Sequence, residues 1–183
     1  MDLFDNRKVA ASVRSDEDFK DALRSKVEVI FLQNSNILNV KDQISAAHEA
    51  GKKVFIHMDF AEGIGKDRAG LNFIKLMGAD GILSTKTGMI RSARDLGLVT
   101  VQRFFIVDSH SVDTAVDSIK IAKPDIVEIM PGIVYKKIKE FAEKSDTPIL
   151  VGGLIEFEDE VDCAISQGAV AVSTASRKLW DYK

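Results

Sequence analysis

Short hydrophobic runs alternate with amphipathic segments along the whole chain. The runs are rich in β-branched residues, which favour strands, whereas the segments between them repeat apolar residues at the spacing of a helix. The pattern predicts eight strands, at residues 9–12, 27–33, 53–59, 81–85, 99–106, 126–131, 148–153 and 170–175. It predicts seven helices between them, at residues 16–25, 40–50, 68–77, 89–96, 112–122, 134–144 and 158–167.

This alternation predicts parallel strands joined by right-handed crossovers. Eight such strands favour an α/β fold of the closed (β/α)8 or TIM type, with short loops and a single domain over residues 1–183. The chain is shorter than the roughly 200–250 residues usual for this barrel, so an open flavodoxin-like sheet is the alternative. The barrel is preferred because each β/α unit spans little more than its strand and its helix.

The net charge of −3 gives no overall basic field, so an RNA or DNA partner would need a local basic patch. Three basic clusters, at residues 91–94, 136–139 and 177–178, are interpreted as solvated surface. The single cysteine, Cys163, excludes an intrachain disulfide and fits a reducing compartment. The sequence shows neither a signal peptide nor a membrane-spanning run, and we expect a cytoplasmic protein without a membrane partner.

Nucleotide-cofactor and metal motifs are not found in the sequence. The Gly63-x-Gly65 pair lacks the third glycine and the strand context of a dinucleotide fingerprint. The three histidines, His48, His57 and His110, lie far apart along the chain and do not have the spacing of metal ligands. We therefore expect no cofactor and no metal.

The last two predicted strands end in residues suited to an anion. Gly152 and Gly153 follow the seventh strand, and their backbone N–H groups can approach a ligand closely because glycine has no Cβ. Ser173 and Thr174 end the eighth strand, and a short helix beginning near Ser176 would add its positive end. In (β/α)8 barrels the loops after strands seven and eight commonly bind a phosphate group, which predicts such a site here.

The third strand ends in two polar residues, His57 and Asp59, which the period of a strand places on one face. If Ile56 and Met58 face the helices, this pair points into the barrel, where Asp59 would accept hydrogen bonds from a ligand or act as a base. The alternative is that His57 and Asp59 bond each other or the next loop. The following loop, residues 62–66, contains two glycines and is interpreted as a flexible site loop, with Lys66 as a further anion contact.

An acid within the sixth strand needs a partner, because glutamate is rarely buried alone. Glu128 is that acid, and with Asp59 it would form either an acid/base pair or two acceptors for a polyol. A structural ion pair between Glu128 and Arg103 is the alternative. Gln102 and Arg103 are adjacent, so only one faces inward, and Arg103 is preferred because a guanidinium matches phosphate.

Lys86, just past the fourth strand, is the remaining candidate among the basic residues. Three roles are open for it: a point charge facing an anion, a Schiff-base lysine, or a solvated residue at the start of a helix.

Several of these pieces occur together, in order, along nearly the whole chain. They are His57-x-Asp59 before Gly63; Gly81-Ile82-Leu83-Ser84-Thr85; Gln102-Arg103; Glu128-x-x-Pro131-Gly132; Gly152-Gly153; and Val172-Ser173-Thr174 before Leu179-Trp180. In this combination the chain resembles the glycerol-3-phosphate-responsive antiterminators, regulators of bacterial glycerol uptake operons. Glu128-x-x-Pro131-Gly132 together with Leu179-Trp180 carries most of the specificity.

The resemblance implies a barrel that binds sn-glycerol 3-phosphate without turning it over and acts on leader mRNA so that transcription passes a terminator. It assigns the phosphate to Gly152, Gly153, Ser173 and Thr174, with Lys86 and Arg103 complementing its charge. It assigns the glycerol hydroxyls to Asp59 and Glu128, next to His57. The competing hypothesis is an isomerase, aldolase or synthase acting on a small phosphorylated sugar, because the fold alone does not decide function. The oligomeric state and the RNA-contact surface stay open.

Overall fold

A computed structural model describes residues 3, 4 and 6–182, apart from the side chain of residue 109. Eight parallel strands close into one barrel in chain order. They are β1 (Val9–Val13), β2 (Val29–Leu32), β3 (Lys53–His57), β4 (Gly81–Ser84), β5 (Val99–Phe105), β6 (Ile126–Met130), β7 (Ile149–Gly152) and β8 (Ala171–Thr174).

Seven α-helices connect the strands, and a 3-10 helix (Arg177–Leu179) follows the last one. They are α1 (Asp16–Arg24), α2 (Val40–Glu49), α3 (Arg68–Leu76), α4 (Thr87–Asp95), α5 (Ser109–Ala122), α6 (Tyr135–Lys144) and α7 (Glu158–Ser166). None of these helices in the described part of the chain is long and apolar enough to cross a membrane.

Direct pairing of the first and last strands decides between the two predicted architectures. Val9 of β1 lies opposite Val172 of β8, and their parallel ladder closes the ring. The prediction of a small TIM-type barrel is therefore confirmed, and the open flavodoxin-like sheet is excluded. The short chain suffices because most helices have only nine or ten residues and the connections are brief.

Alternation along each strand separates two apolar regions. Side chains facing outward pack under the helices in a large cluster that includes Ile56, Met58 and Val127. Side chains facing inward form a smaller cluster inside the barrel, in which Phe31 packs against Phe55 with ring centroids 5.3 Å apart. Because the barrel interior is filled by these side chains, a ligand can enter only at its end.

The inward-facing positions change from apolar to polar toward the carboxyl ends of the strands. In or just after six of the strands, a buried polar side chain lies two residues beyond an apolar member of the inner cluster. These side chains are Ser12, Gln33, His57, Arg103, Glu128 and Ser173. We call this set the polar layer. Burying so many hydrogen-bonding groups is costly unless they have partners, so the polar layer marks the functional end of the barrel.

The C-terminal segment packs back onto the end of β8. The indole N–H of Trp180 donates to the carbonyl oxygen of Thr174 at 2.9 Å, and the indole is buried. Arg177 binds the carboxylates of Asp18 and Asp21 in α1. The segment after β8 is therefore held against both the barrel and its first helix, which fixes the loop on which Thr174 stands.

Candidate functional site

A cavity of about 370 Å³ opens at the carboxyl ends of the strands, next to the polar layer. Its size suits a small metabolite. The lining residues are Ser12, Arg14, Gln33, Arg103, Met130, Gly153, Leu154, Ile155, Glu156, Ser173, Thr174, Ala175 and Ser176. Four of the residues predicted to hold a phosphate, Gly153, Ser173, Thr174 and Arg103, are thus brought together, whereas Gly152 and Lys86 do not line this cavity.

The backbone after β7 adopts two consecutive positive φ angles beside the cavity. Gly153 has φ +77°, and Leu154 follows with φ +61°, a conformation that costs a non-glycine residue free energy. Among the described residues, the N–H groups of Gly153, Leu154 and Ala175 find no protein acceptor. Unpaired N–H groups at the edge of a cavity are donors for an anion.

Gly152 contributes space rather than a lining surface. A Cβ at this position would lie 2.6 Å from Oε1 of Glu128 and would also strike the hydroxyl of Ser173. The absence of a side chain therefore lets these two residues meet inside the barrel. This physical role differs from the direct anion contact predicted from the sequence.

The two hydroxyls at the end of β8 already have protein partners. Ser173 donates to Oε1 of Glu128 inside the barrel. Thr174 donates to the carbonyl oxygen of Ile155 at 2.6 Å and accepts from the N–H of Ser176 at 3.0 Å. Thr174 therefore ties the β7 loop to the β8 loop, and it shapes the cup in which an anion would sit.

The buried charge pair of the polar layer is Arg103 with Glu128. Nε of Arg103 donates to Oε2 of Glu128 at 2.6 Å, and Nη1 donates to Oε1 of Gln33 at 3.2 Å. Glu128 is fully buried, with 0% exposure. The structural ion pair, held open as an alternative in the sequence, is therefore present, and the positive charge of Arg103 is compensated before any ligand arrives.

The structure also settles the orientation of Gln102 and Arg103. Arg103 faces the barrel interior, as preferred from the sequence. Gln102 faces outward, where its side-chain amide donates to the hydroxyls of Thr87 in α4 and Ser118 in α5.

Polar atoms without partners gather on the neighbouring strands β2 and β3. Within the described residues, Nε2 of Gln33, the hydroxyl of Ser35 and both ring nitrogens of His57 are buried and make no hydrogen bond. Burial and then the charge of Arg103 lower the pKa of His57 from 6.5 to about 4. The imidazole is therefore neutral at physiological pH and offers one donor and one acceptor.

Asp59 lies at the rim and bonds the next loop. It accepts hydrogen bonds from the hydroxyl of Ser84 at 2.7 Å, and from the N–H and the hydroxyl of Thr85, each at 2.8 Å. Burial raises the pKa of Asp59, but these hydrogen bonds together lower it by more than burial raises it. The net pKa of Asp59 is therefore below its ordinary value. The structure therefore shows the alternative in which Asp59 forms hydrogen bonds with the next loop. The carboxylate of Asp59 stays ionised.

The basic candidates differ in how they are placed. Lys86 is exposed at the N-terminal end of α4, and its backbone N–H donates to the hydroxyl of Ser84. Arg14, which the sequence analysis did not single out, is exposed at the end of β1 and lines the cavity. The alternation Ala10, Ser12, Arg14 along β1 would have indicated it, because residues two apart share a face. Arg14 supplies a cation that no carboxylate of the described residues pairs.

The family model for glycerol-3-phosphate responsive antiterminators matches residues 9–180. The Escherichia coli protein YgcP is 34% identical over 181 residues, covering 98% of this chain and 95% of its own.

Two crystal structures of similar proteins share the architecture. A glycerol uptake operon antiterminator regulatory protein from Listeria monocytogenes superposes with a TM-score of 0.93 at 28% identity, covering 98% of both chains. A glycerol uptake operon antiterminator-related protein from Thermotoga maritima superposes with a TM-score of 0.82 at 32% identity, covering 94% of this chain and 96% of that one. The likeness therefore extends over the whole barrel, including the strands that carry the polar layer.

Proposed function

Because the chain belongs to the glycerol-3-phosphate responsive antiterminator family, we propose that it senses sn-glycerol 3-phosphate and controls transcription of a glycerol operon. Ligand binding would let the protein act on the leader of the nascent mRNA, in the cytoplasm. Residues 1–183 would act as one unit in this role. The observation that carries the proposal is the lining of one cavity, in which Arg14, Glu156 and the unpaired N–H groups of Gly153, Leu154 and Ala175 lie together with the unpartnered Nε2 of Gln33.

The phosphate fits the outer end of the cavity. The unpaired N–H groups of Gly153, Leu154 and Ala175 supply donors there, and Arg14 supplies a positive charge. Arg103 lines the same cavity but is already neutralised by Glu128. The phosphate charge would therefore be met chiefly by Arg14 and the backbone, with Ser173 and Thr174 holding the shape of the cup.

The glycerol end fits the neutral part of the polar layer. Nε2 of Gln33 and both ring nitrogens of His57 are buried and lack partners among the described residues. A ligand hydroxyl can accept a hydrogen bond from the Gln33 amide nitrogen, and it can donate to or accept from the imidazole. Leaving such groups unpaired costs about 1–3 kcal/mol each, which a polyol would recover on binding. Glu128 and Asp59 would act as further acceptors through lone pairs not used in the protein.

Regulation rather than turnover fits the state of the two carboxylates. Glu128 is committed to Arg103 and Ser173, and Asp59 to Ser84 and Thr85. A general acid or base must be free to exchange a proton with the substrate. We therefore favour a sensor over a phosphosugar isomerase, aldolase or synthase.

Titration calorimetry and thermal unfolding with sn-glycerol 3-phosphate, glycerol and inorganic phosphate test the ligand. We expect glycerol 3-phosphate to bind most tightly and to raise the melting temperature most, because it alone fills both ends of the cavity. Equal shifts with inorganic phosphate would contradict the role of the neutral end. NMR of triose and pentose phosphates incubated with the protein tests the enzyme, and product formation would favour it.

A further inference from the structure

Four large apolar side chains are exposed on three adjacent loops at the carboxyl end of the barrel. Phe105 ends β5 and is 56% exposed, and Val107 follows it at 84%. Ile133, in the loop after β6, is 38% exposed, and Leu154, in the loop after β7, is 63% exposed. We call these four residues the apolar patch. Exposed apolar residues scattered singly are ordinary, whereas a contiguous group marks a contact surface.

Backbone hydrogen bonds hold the three loops side by side. The N–H of Ile106 donates to the carbonyl oxygen of Met130 at 2.8 Å, which joins the β5 loop to the end of β6. The N–H of Gly132 donates to the carbonyl oxygen of Gly153 at 3.0 Å, which joins the β6 loop to the β7 loop. Each residue of the apolar patch is next in the chain to one of these bonded residues. The four side chains therefore belong to one surface.

Leu154 stands in the apolar patch at a free-energy cost that another residue would avoid. Its φ of +61° is a left-handed conformation that bulky residues rarely adopt, and its apolar side chain is largely exposed. Glycine or asparagine would take this backbone with less strain and without exposing apolar surface. A leucine at this position is explained if its side chain makes a contact outside the chain.

We propose that the apolar patch is the contact surface of a homodimer, in which a two-fold axis brings the patches of two copies together. With about 200 Å² for each large apolar side chain when fully exposed, the four residues expose on the order of 500 Å². Standard interfaces bury about 800 Å² per partner, and slightly more than half of this area is non-polar. The patch therefore supplies the apolar area that a stable dimer needs.

Charges of both signs beside the patch favour a second copy of the chain over an anionic partner. Lys136, in the first turn of α6, and Glu156, two residues after Leu154, are exposed. Neither forms an ion pair among the described residues. In a self-complementary interface, a cation of one copy can meet a carboxylate of the other. Asp108 is exposed next to Val107 as well, so these carboxylates would repel a nucleic acid or an anionic lipid surface.

Leu154 also connects the apolar patch with the cavity. Its N–H is one of the unpaired groups beside the cavity, and its side chain belongs to the patch. A phosphate that accepts from this N–H would order the loop, so less ordering would remain to be done when two copies associate. We therefore expect glycerol 3-phosphate to tighten the dimer. Only this coupling rests on the proposed function, whereas the dimer itself does not.

Sedimentation equilibrium of the full chain measures the dissociation constant of the dimer, with and without glycerol 3-phosphate. Leu154→Asn keeps the N–H and suits the left-handed backbone but removes the apolar side chain. Val107→Glu places a carboxylate in the contact. Because a two-fold interface contains each substitution twice, a loss of about tenfold per copy weakens the dimer about 100-fold, and we expect this for each variant.

Matched control variants lie at the opposite end of the barrel. Leu76 and Ile121 are exposed at the C-terminal ends of α3 and α5, away from the patch. Leu76→Asn and Ile121→Glu make the same kinds of substitution there and should leave the dissociation constant unchanged. Leu154→Asn should also keep the wild-type thermal shift with glycerol 3-phosphate, since it keeps the N–H.

A wild type that stays monomeric both with and without the ligand would overturn the dimer. A dimer that the control variants weaken as much as Leu154→Asn and Val107→Glu do would overturn the apolar patch as its interface. A dimer that depends on the patch but is not tightened by glycerol 3-phosphate would overturn the coupling alone. If the wild type shows no thermal shift with glycerol 3-phosphate, the proposed ligand is wrong, and the variants still test the dimer without it.

Discussion

Nε of Arg103 donates to Oε2 of Glu128 at 2.6 Å inside the barrel, across the paired strands β5 and β6. The carboxylate is fully buried, and its other oxygen accepts from Ser173. Arg103 and Glu128 therefore neutralise each other within the protein, so the effect of the pair on stability can be measured apart from its effect on ligand binding.

Removing one partner of the pair should destabilise the protein. In Glu128→Gln the guanidinium of Arg103 is left buried without a counter-charge, and the free energy of unfolding should fall by about 3 kcal/mol in urea titrations. The double variant Arg103→Met, Glu128→Leu should regain most of that loss, since apolar replacements of buried pairs are often neutral. It should bind glycerol 3-phosphate more weakly than the wild type in calorimetry, because Glu128 no longer accepts from a ligand hydroxyl. Wild-type affinity in the folded double variant would show that Arg103 and Glu128 take no part in ligand binding.

Gly153 allows a second test, because its backbone and its surroundings can be probed apart. Gly153 has φ +77°, and a Cβ added there would lie 2.7 Å from Cε of Met130. Gly51 has a similar φ, +73°, but a Cβ added there would have nothing within 4 Å. In Gly153→Val and in Gly51→Val, the free energy of unfolding should fall by roughly 1–3 kcal/mol, because valine is strained at a positive φ. Only Gly153→Val should lose the thermal shift with glycerol 3-phosphate. Equal shifts in both variants would contradict the assigned phosphate cup.

The barrel was predictable because its signals are local. Short β-branched runs alternate with amphipathic segments, and each predicted strand overlaps an observed one. The polar layer was partly visible for the same reason, since His57 follows Phe55 by two residues and Glu128 interrupts an apolar strand. A periodic pattern reports which face a residue takes, and that is enough to place it inside the barrel.

Contacts between strands were not predictable in this way. Arg103 and Glu128 are neighbours only through the register of β5 and β6, which the sequence does not show. The orientation of Gln102 was ambiguous because the outward face of β5 is polar, where it meets Thr87 and Ser118, although outward positions under helices are usually apolar. The partners of Asp59 depend likewise on the geometry of the adjacent loop.

Arg14 is the cation whose removal should affect binding without affecting stability. It is exposed and lines the cavity. Arg14→Gln should weaken glycerol 3-phosphate binding about tenfold, the loss of one charge-assisted contact, and change the free energy of unfolding by less than about 0.5 kcal/mol. Arg91→Gln removes the same charge from an exposed position of α4 and should bind the ligand like the wild type. A comparable loss of affinity in Arg91→Gln would assign the effect to net charge rather than to the cavity.

His57 should make stability depend on pH in a defined window. Burial and the charge of Arg103 lower its pKa from 6.5 to about 4 in the folded protein, so the unfolded chain takes up the proton first. The folded state is therefore favoured fully above pH 6.5, and this advantage is lost as the pH falls from 6.5 to about 4.

Unfolding in urea at pH 7.5 and pH 4.5 compares the wild type with His57→Gln and with His110→Gln, whose histidine is exposed. The acid loss of stability should be smaller by about 2–3 kcal/mol in His57→Gln, because each pKa unit corresponds to 1.36 kcal/mol. Between pH 7.5 and pH 4.5, the free energy of unfolding of His110→Gln should fall as much as that of the wild type, since both proteins keep the buried imidazole of His57. An acid loss in His57→Gln equal to that of the wild type would mean that His57 takes up its proton as readily in the folded protein as in the unfolded chain. The proposal that a neutral His57 recognises a ligand hydroxyl rather than a charged group would then be wrong.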